Sequence, residues 1–449
     1  MSKRLLPLLV LASFGLNLLA PSAASAQGIG LIRDAEIEAT IRAYATPLFA
    51  AAGLDAESVN IYIVNDNTLN AFVAGGMNLF LNTGLLMRTE SADQVIGVIA
   101  HETGHIAGGH LARAQEAMRG ATAEAIIATI LGIGAAVATG DGRAGAAVIG
   151  GGQAFAQQTF LRHSRTEESA ADHAALSYLD ATGQSARGLL TFFEVLGHQD
   201  LLLSNNQDPY LRTHPLTSER MDVVRRHVES SPYGDTPVSP EFAEMHKRMR
   251  AKLVGFLQPL GRVLQEYPES DERPEALYAR AIAYYRDSRL DRALALIDRL
   301  IAAQPDDPYF QELKGQMLYE NGRIAAALPH YEKAVALRPA EPMLRLGLAR
   351  GQIDLEDPAP TKSAVANLEE VVRVEPRNAG AWRFLSIAYG RDGQLPMAAL
   401  ALAEAASARG DWREARAQAD RAMHQLPEDS AAWLRARDIF DAAVREAKG

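Results

Sequence analysis

Hydrophobic and polar positions change their period along the first hundred residues, and each period predicts a different element. Residues 34–52 have the apolar spacing of a helix, whereas residues 59–64 form a short, apolar, β-rich run. Residues 71–81 predict a β-hairpin, because apolar runs flank a pair of glycines. A further helix is expected to begin at Ser91, with Gln94 as the partner in a capping box, and to run toward Gln115. This part of the chain is therefore predicted to be α+β.

After about residue 273 the strand-like runs disappear and a helical pattern repeats. Pro305, Pro339 and Pro376 follow amphipathic segments at intervals of 34 and 37 residues, and Pro427 ends a fourth segment after a further 51 residues. A small residue is needed where two antiparallel helices cross closely, and proline ends the second helix of such a pair. The long last interval predicts an extra helix. An alanine stands twelve residues before each proline: Ala293, Ala327, Ala364 and Ala415.

This pattern resembles the tetratricopeptide repeat, a helix–turn–helix unit, with an insertion near residues 356–361. An irregular helical bundle is the alternative. The resemblance implies an α-helical solenoid whose concave face binds segments of other proteins.

The N-terminus has the three parts of a secretory signal peptide. Lys3 and Arg4 precede a mostly apolar run over residues 5–20, and small residues lead up to a predicted cleavage site after Ala26. An uncleaved membrane anchor is the alternative. The signal predicts export, to a periplasm or to the outside of the cell.

Two charge-free stretches, residues 125–140 and 144–161, are rich in alanine and glycine. Each is shorter than the roughly 20 residues that a membrane-spanning helix needs. They are predicted to be closely packed helices, and peripheral contact with a membrane is the alternative.

The amino-acid composition excludes several kinds of functional site. The chain has 449 residues and no cysteine, so disulfides, thiol nucleophiles and cysteine-based metal sites are excluded. Any metal site must use His, Asp and Glu. Removal of Lys3 and Arg4 with the signal peptide changes the formal charge from −10 to −12, and this acidity argues against a nucleic-acid partner.

The strongest chemical motif is His101-Glu102-Thr103-Gly104-His105. Residues four apart share one face of a helix, so His101 and His105 can bind one zinc ion. Glu102 lies beside that face and can act as general base toward a water that zinc activates. The alternative is a buried helix with two structural histidines.

A third ligand must come from elsewhere. Leu111 occupies the position at which a metzincin has histidine, and His110 is out of register, which favours a supporting role. In the segment at residues 164–172, Glu168 and Asp172 would share one helical face. Glu168 can then bind zinc while Asp172 accepts a hydrogen bond from a histidine ligand. The alternative is an exposed, charged helix start.

Together, the sequences HETGH and SRTEESAAD resemble those of the HtpX/BepA-like zinc metallopeptidases of the gluzincin class. The resemblance covers essentially the whole chain after the signal peptide. It implies one Zn²⁺ per chain bound by His101, His105 and Glu168, with Glu102 as catalytic base and Asp172 as the aspartate of the second motif.

A further match is THPLTSER, residues 213–220. By itself, a single histidine before proline is typical of a loop. The resemblance instead implies that His214 can reach the zinc as a fourth ligand and hold the enzyme latent, or can stabilise the oxyanion once displaced.

The predicted fold is mainly α: an α+β zincin-like metallopeptidase domain at residues 27–250, then the tetratricopeptide solenoid at residues 251–449. The expected function is a periplasmic endopeptidase that hydrolyses misfolded or stalled outer-membrane proteins, with a chaperone-like role in assembly and contacts to the assembly machinery. Substrate is expected to pair with an edge strand in the 70–82 segment. The alternatives are a latent scaffold or chaperone and, third, a membrane-embedded peptidase.

Overall fold

The computed structural model describes residues 30–74, 76–110, 165–202, 214–355 and 359–447. The predicted signal peptide at residues 1–26 and the two alanine- and glycine-rich stretches within residues 125–161 lie outside these ranges. Within the described ranges, no helix is long and apolar enough to cross a membrane.

A four-stranded sheet opens the described chain. Its strands are β1 (Leu31–Ile32), β2 (Asn60–Val64), β3 (Ala71–Ala74) and β4 (Asn78–Asn82), in the order β1-β2-β4-β3. The strands β2 and β4 pair in parallel, and the other two pairs are antiparallel. The predicted hairpin is therefore present as β3 and β4, with Gly76 at a φ of +95° in the turn. Because β4 is interior, only β3 of the 70–82 segment lies at an edge of this sheet.

Alternation along the strands gives this sheet two different faces. Ile63 and Leu81 point into the core and are fully buried. On the opposite face, the ring of Phe80 stacks between those of Tyr62 and Phe72, with centroids 4.9 Å away on each side. Such cross-strand aromatic pairs fix the register of the strands.

Helices cover the core face of the sheet. They are α1 (Ala35–Ala51), α2 (Thr83–Arg88), α3 (Ala92–Ala107), α4 (residues 165–181), α5 (Arg187–Leu202), α6 (Ser218–Ser230) and α7 (Pro240–Leu257). Asp34 begins α1, since its carboxylate accepts hydrogen bonds from the backbone N–H groups of Glu36 and Ile37. Buried side chains of α1, α3 and α5 share one hydrophobic core.

Helix α3 begins directly after Ser91, as predicted, but differs from its prediction in its cap and at its end. The side chain of Ser91 makes no capping hydrogen bond, and Gln94 instead accepts a hydrogen bond from the backbone N–H of Glu90. The helix ends at Ala107, because glycines follow and Gly109 has a φ of +63°. Residues 111–115, toward which it was predicted to run, lie outside the described residues.

The rest of the described chain is an array of antiparallel helices. They are α8 (Leu260–Glu266), α9 (Pro274–Arg286), α10 (Leu290–Ala303), α11 (Pro308–Glu320), α12 (Ile324–Leu337), α13 (Pro342–Asp354), α14 (Ala359–Val374), α15 (Ala379–Arg391), α16 (Leu395–Ala408), α17 (Trp412–Met423) and α18 (Ala431–Glu446). The four alanines of the repeat are fully buried. Three helices lie between Pro376 and Pro427, so the predicted extra helix is present.

Helix α7 connects the two parts of the molecule. The boundary predicted at residue 250 lies inside this helix, which packs against α1 on one side and α9 on the other. Arg248 of α7 bonds Glu36 of α1 at 2.6 Å and Asp307, the residue just before α11, at 2.5 Å. Tyr278 of α9 donates a further hydrogen bond to Glu36 at 2.7 Å, and Lys252 of α7 lies 3.3 Å from the same carboxylate. A buried ionic cluster therefore holds the first part against the array.

Candidate active site

The predicted site residues come together from three segments. Helix α3 presents His101 and His105 one turn apart, and α4 presents Glu168 and Asp172 with the same spacing. His214 lies just before α6. All five side chains are buried. The sequence motifs therefore converge on one place although they are up to 113 residues apart.

Four of these residues form a group that could hold one metal ion. The Nε2 atoms of His101 and His105 lie 3.1 Å apart, and each lies 3.3 Å from an oxygen of Glu168. His214 closes the group, with Nδ1 at 3.4 Å from His101 Nε2 and 3.1 Å from Glu168 Oε1. A tetrahedron with zinc–ligand bonds of about 2.0–2.1 Å has edges of about 3.3–3.4 Å. The donor types and their spacing therefore fit zinc.

Contacts behind the group orient its histidines. His101 Nδ1 lies 3.0 Å from Asp172 Oδ1, which turns Nε2 toward the centre of the group. On the other side, His110 Nδ1 lies 2.9 Å from His105 Nδ1. His110 thus lies outside the four-residue group and supports one of its members, in line with the supporting role that its position in the sequence favours.

Glu102 occupies an unusual environment. Its side chain is fully buried, and neither carboxylate oxygen has a hydrogen-bond partner among the described residues. His214 Nε2 lies 3.5 Å from Oε1. Burying a carboxylate without hydrogen bonds costs free energy, so a purely structural role does not explain this residue. The position suits a base that accepts a proton beside the metal-binding group.

Burial and mutual hydrogen bonds shift the pKa values of the residues in this group. Burial lowers the pKa of His101, but hydrogen bonds to Asp172 and Glu168 outweigh it and raise this pKa to about 9. Burial raises the pKa of Glu168, but hydrogen bonds from the three histidines outweigh it and hold this pKa far below its ordinary range. For His105, burial has the larger effect and lowers the pKa. These hydrogen bonds therefore favour the charged form of the Glu168 carboxylate.

Arg220 is a site residue that the sequence argument did not single out. Its Nε and Nη2 donate to the two oxygens of Asp172 at 2.6 and 2.9 Å, and its Nη1 lies 2.9 Å from Glu168 Oε2. Burial raises the pKa of Asp172, but the bonds from Arg220 and His101 outweigh it and lower this pKa. Arg220 ends the THPLTSER segment, and no spacing rule connects it to a residue 48 positions away.

Two family models match parts of the chain. Residues 32–228 match the model of Peptidase family M48, and residues 273–342 match a model of the tetratricopeptide repeat. The chain carries an M48 peptidase domain followed by tetratricopeptide repeats. It is a metalloprotease, and the predicted zinc cofactor is confirmed, because M48 metalloproteases use zinc.

Several proteins of similar sequence match a large part of the chain. It is 26% identical over 393 residues to the beta-barrel assembly-enhancing protease of Yersinia pestis, a match that covers 86% of this chain and 79% of the relative. It is 24% identical over 330 residues to the protein of the same name from Escherichia coli K12, covering 72% and 66%. Metalloprotease LoiP of Escherichia coli K12 is 26% identical over 180 residues, covering 39% and 66%.

Proposed function

We propose that this protein is an exported endopeptidase that hydrolyses peptide bonds of misfolded or stalled outer-membrane proteins in the periplasm. The observation that carries the proposal is Glu102, a fully buried carboxylate that lies beside a zinc-binding group and has no hydrogen-bond partner among the described residues. A site that used zinc only for folding would have no need of a base at this position. The Yersinia and Escherichia relatives are named for enhancing β-barrel assembly, which supports β-barrel assembly as the setting.

In this proposal His101, His105 and Glu168 hold the zinc. When bound, zinc supplies Lewis-acid chemistry that polarises the scissile carbonyl and activates water. Glu102 accepts the proton from the attacking water and passes it to the leaving amine. Asp172 keeps His101 in the tautomer whose Nε2 faces the metal.

His214 acts as a latch in this proposal. Its Nδ1 completes the four-residue group, and its Nε2 lies 3.5 Å from Glu102 Oε1. Metal sites closed by four protein ligands are typical of structural zinc, whereas catalytic sites keep one position open. Hydrolysis therefore requires His214 to move away from the group. The arrangement described here supports the closed, latent state.

The substrate chain is proposed to enter along β3. This strand lies at an edge of the described sheet and packs against α3, which carries the HETGH motif. An exposed strand edge pairs with extended peptides through main-chain hydrogen bonds. Unfolded proteins provide such segments, whereas folded β-barrels keep theirs paired. The tetratricopeptide array is proposed to hold the client or its assembly machinery.

The proposal is tested with the zinc-loaded mature chain and an unfolded outer-membrane β-barrel protein. Glu102→Gln should keep its zinc and lose about 10²–10⁴-fold in hydrolysis, the usual contribution of a general base. His214→Ala should raise basal hydrolysis. Glu90→Gln is the control, because Glu90 is exposed and lies two residues before the start of α3, and it should leave the rate unchanged. Hydrolysis by Glu102→Gln at the wild-type rate would refute the assignment.

A second candidate is a scaffold or chaperone that works through the array. The closed arrangement of His214 is the observation that favours it. In cells lacking this protein, full complementation by Glu102→Gln but none by a chain ending just after α7, at Gln258, would identify the scaffold as the working part. Loss of complementation by Glu102→Gln, at normal protein levels, would support the peptidase.

A further inference from the structure

Arg220 bonds to three different parts of the site through one guanidinium group. Its Nε and Nη2 hold both oxygens of Asp172 at 2.6 and 2.9 Å. Its Nη1 lies 2.9 Å from Glu168 Oε2 and donates to the carbonyl oxygen of Pro215 at 2.8 Å. The bidentate contact and the two Nη1 contacts use the planar fork that distinguishes arginine from lysine.

The contact with Pro215 connects the metal-binding group to the His214 segment. Pro215 is the next residue after His214, so the bond fixes the backbone that carries the latch histidine. Arg220 itself is held in place, because its backbone N–H donates to the side chain of Thr217 and its guanidinium lies 5.1 Å from the ring of Phe193. Only 6% of its surface is exposed.

The surroundings leave room for the segment to move. Pro215, Thr217 and Arg220 line a cavity of about 570 Å³ that also reaches Glu168 and Asp172. The backbone between His214 and the start of α6 is three residues long and carries no described secondary structure. Breaking the single bond from Arg220 Nη1 to Pro215 would release this short segment, while the two bonds to Asp172 keep α6 attached to α4.

We propose that Arg220 is a positioning residue that sets the balance between the closed and open positions of His214. It does so by holding the Pro215 carbonyl and the Glu168 carboxylate on the same guanidinium nitrogen. The proposal rests on the proposed function, in which His214 is the latch. It adds that the latch is held by Arg220 as well as by the metal, so that a ligand competing for Nη1 would open the site.

Arg220→Lys tests this proposal, because lysine keeps the charge but cannot hold Asp172 bidentately and reach Pro215 at the same time. The readout is the rate at which diethyl pyrocarbonate modifies His214, followed by peptide mass spectrometry on the full zinc-loaded chain, with zinc per chain measured in parallel. We expect His214 to react several-fold faster than in the wild type. Arg225→Lys is the control, since Arg225 lies on the same helix and is exposed.

A double variant separates a latch effect from general damage. If Arg220 acts through His214, the rise in basal hydrolysis caused by Arg220→Lys should vanish in a His214→Ala background. Additive effects of the two substitutions, or unchanged reactivity of His214 in Arg220→Lys, would overturn the proposal. Because the modification rate needs no substrate, a wild type that hydrolyses nothing would contradict the proposed function without deciding this inference.

The proposal can still be tested if Arg220→Lys loses its zinc or does not fold. His214 in a zinc-free but folded variant is compared with His214 in the metal-free wild type. Faster modification in the variant supports the proposal, and equal rates overturn it. If Arg220→Lys does not fold, Arg220→Gln, which keeps a planar donor group, takes its place in the same comparison.

Discussion

Gly104 packs so closely against Ala171 that a Cβ at position 104 would lie 2.8 Å from the Ala171 carbonyl oxygen. Gly104 stands between the two histidines of α3, and Ala171 stands between Glu168 and Asp172 of α4. The close approach of the two helix backbones therefore sets the distance between the histidines and the carboxylates. The glycine of HETGH has a spatial role that the spacing of the histidines alone does not reveal.

Gly104→Ala should push α4 away from α3 and weaken zinc binding. Overpacking of this kind costs about 1–3 kcal/mol of stability. Competition with a zinc chelator should show a lower affinity, and thermal unfolding of the zinc-free chain should show the loss of stability. Gly261→Ala is the control, because no atom lies within 4 Å of its added Cβ. Unchanged zinc affinity in Gly104→Ala would show that the helix spacing can adjust.

Asp172→Asn should lower zinc affinity by about 10–100-fold, as is usual when the carboxylate behind a histidine ligand is altered. The substitution removes the charge that faces both His101 and Arg220 at 3.0 and 2.6 Å. Asp222→Asn, an exposed change on α6, serves as the control. Zinc affinity is measured by equilibrium competition at fixed pH. An Asp172→Asn variant that binds zinc as tightly as the control would contradict the role given to this carboxylate.

The array could be predicted from sequence because its packing rule is local and repeats. Each close helix crossing needs a small residue, and a fixed number of residues separates it from the proline that ends the helix. The interruption of α3 after Ala107 was not predicted, because it depends on Gly109 adopting a φ of +63°, which the spacing of apolar residues does not show. The order of the strands in the sheet could not be predicted either, because the sequence of neither strand indicates that β2 pairs in parallel with β4.

Some residues of the candidate site could also be predicted from sequence, whereas others could not. The residues His101, His105, Glu168 and Asp172 follow from i, i+4 spacing on helices, which sequence displays directly. Arg220 does not, because its partners come from α4 and its role exists only after α4 and α6 pack together. Residues whose function is to connect two elements carry no periodic signal.

Glu36→Gln should destabilise the junction between the peptidase domain and the array by about 3–5 kcal/mol, the usual cost of leaving buried charges without their partner. Arg248 at 2.6 Å and Lys252 at 3.3 Å both depend on this carboxylate, and both are buried or nearly so. Asp306→Asn removes an exposed pair with Lys333 and should cost at most about 1 kcal/mol. Chemical unfolding measures both changes, and equal costs would contradict the importance of the cluster.

Glu312 should make stability depend on pH near neutrality. It lines a cavity of about 410 Å³ between α11 and the start of α1, and burial raises its pKa from 4.5 to about 7. Between these values the folded chain binds the extra proton, so stability falls as pH rises through this window. Since Glu312 is partly exposed to the cavity, we expect Glu312→Gln to gain about 1–2 kcal/mol over the wild type at pH 8 and almost nothing at pH 5. Chemical unfolding at both pH values tests this, with exposed Glu332→Gln as control, and an equal gain at both would disprove it.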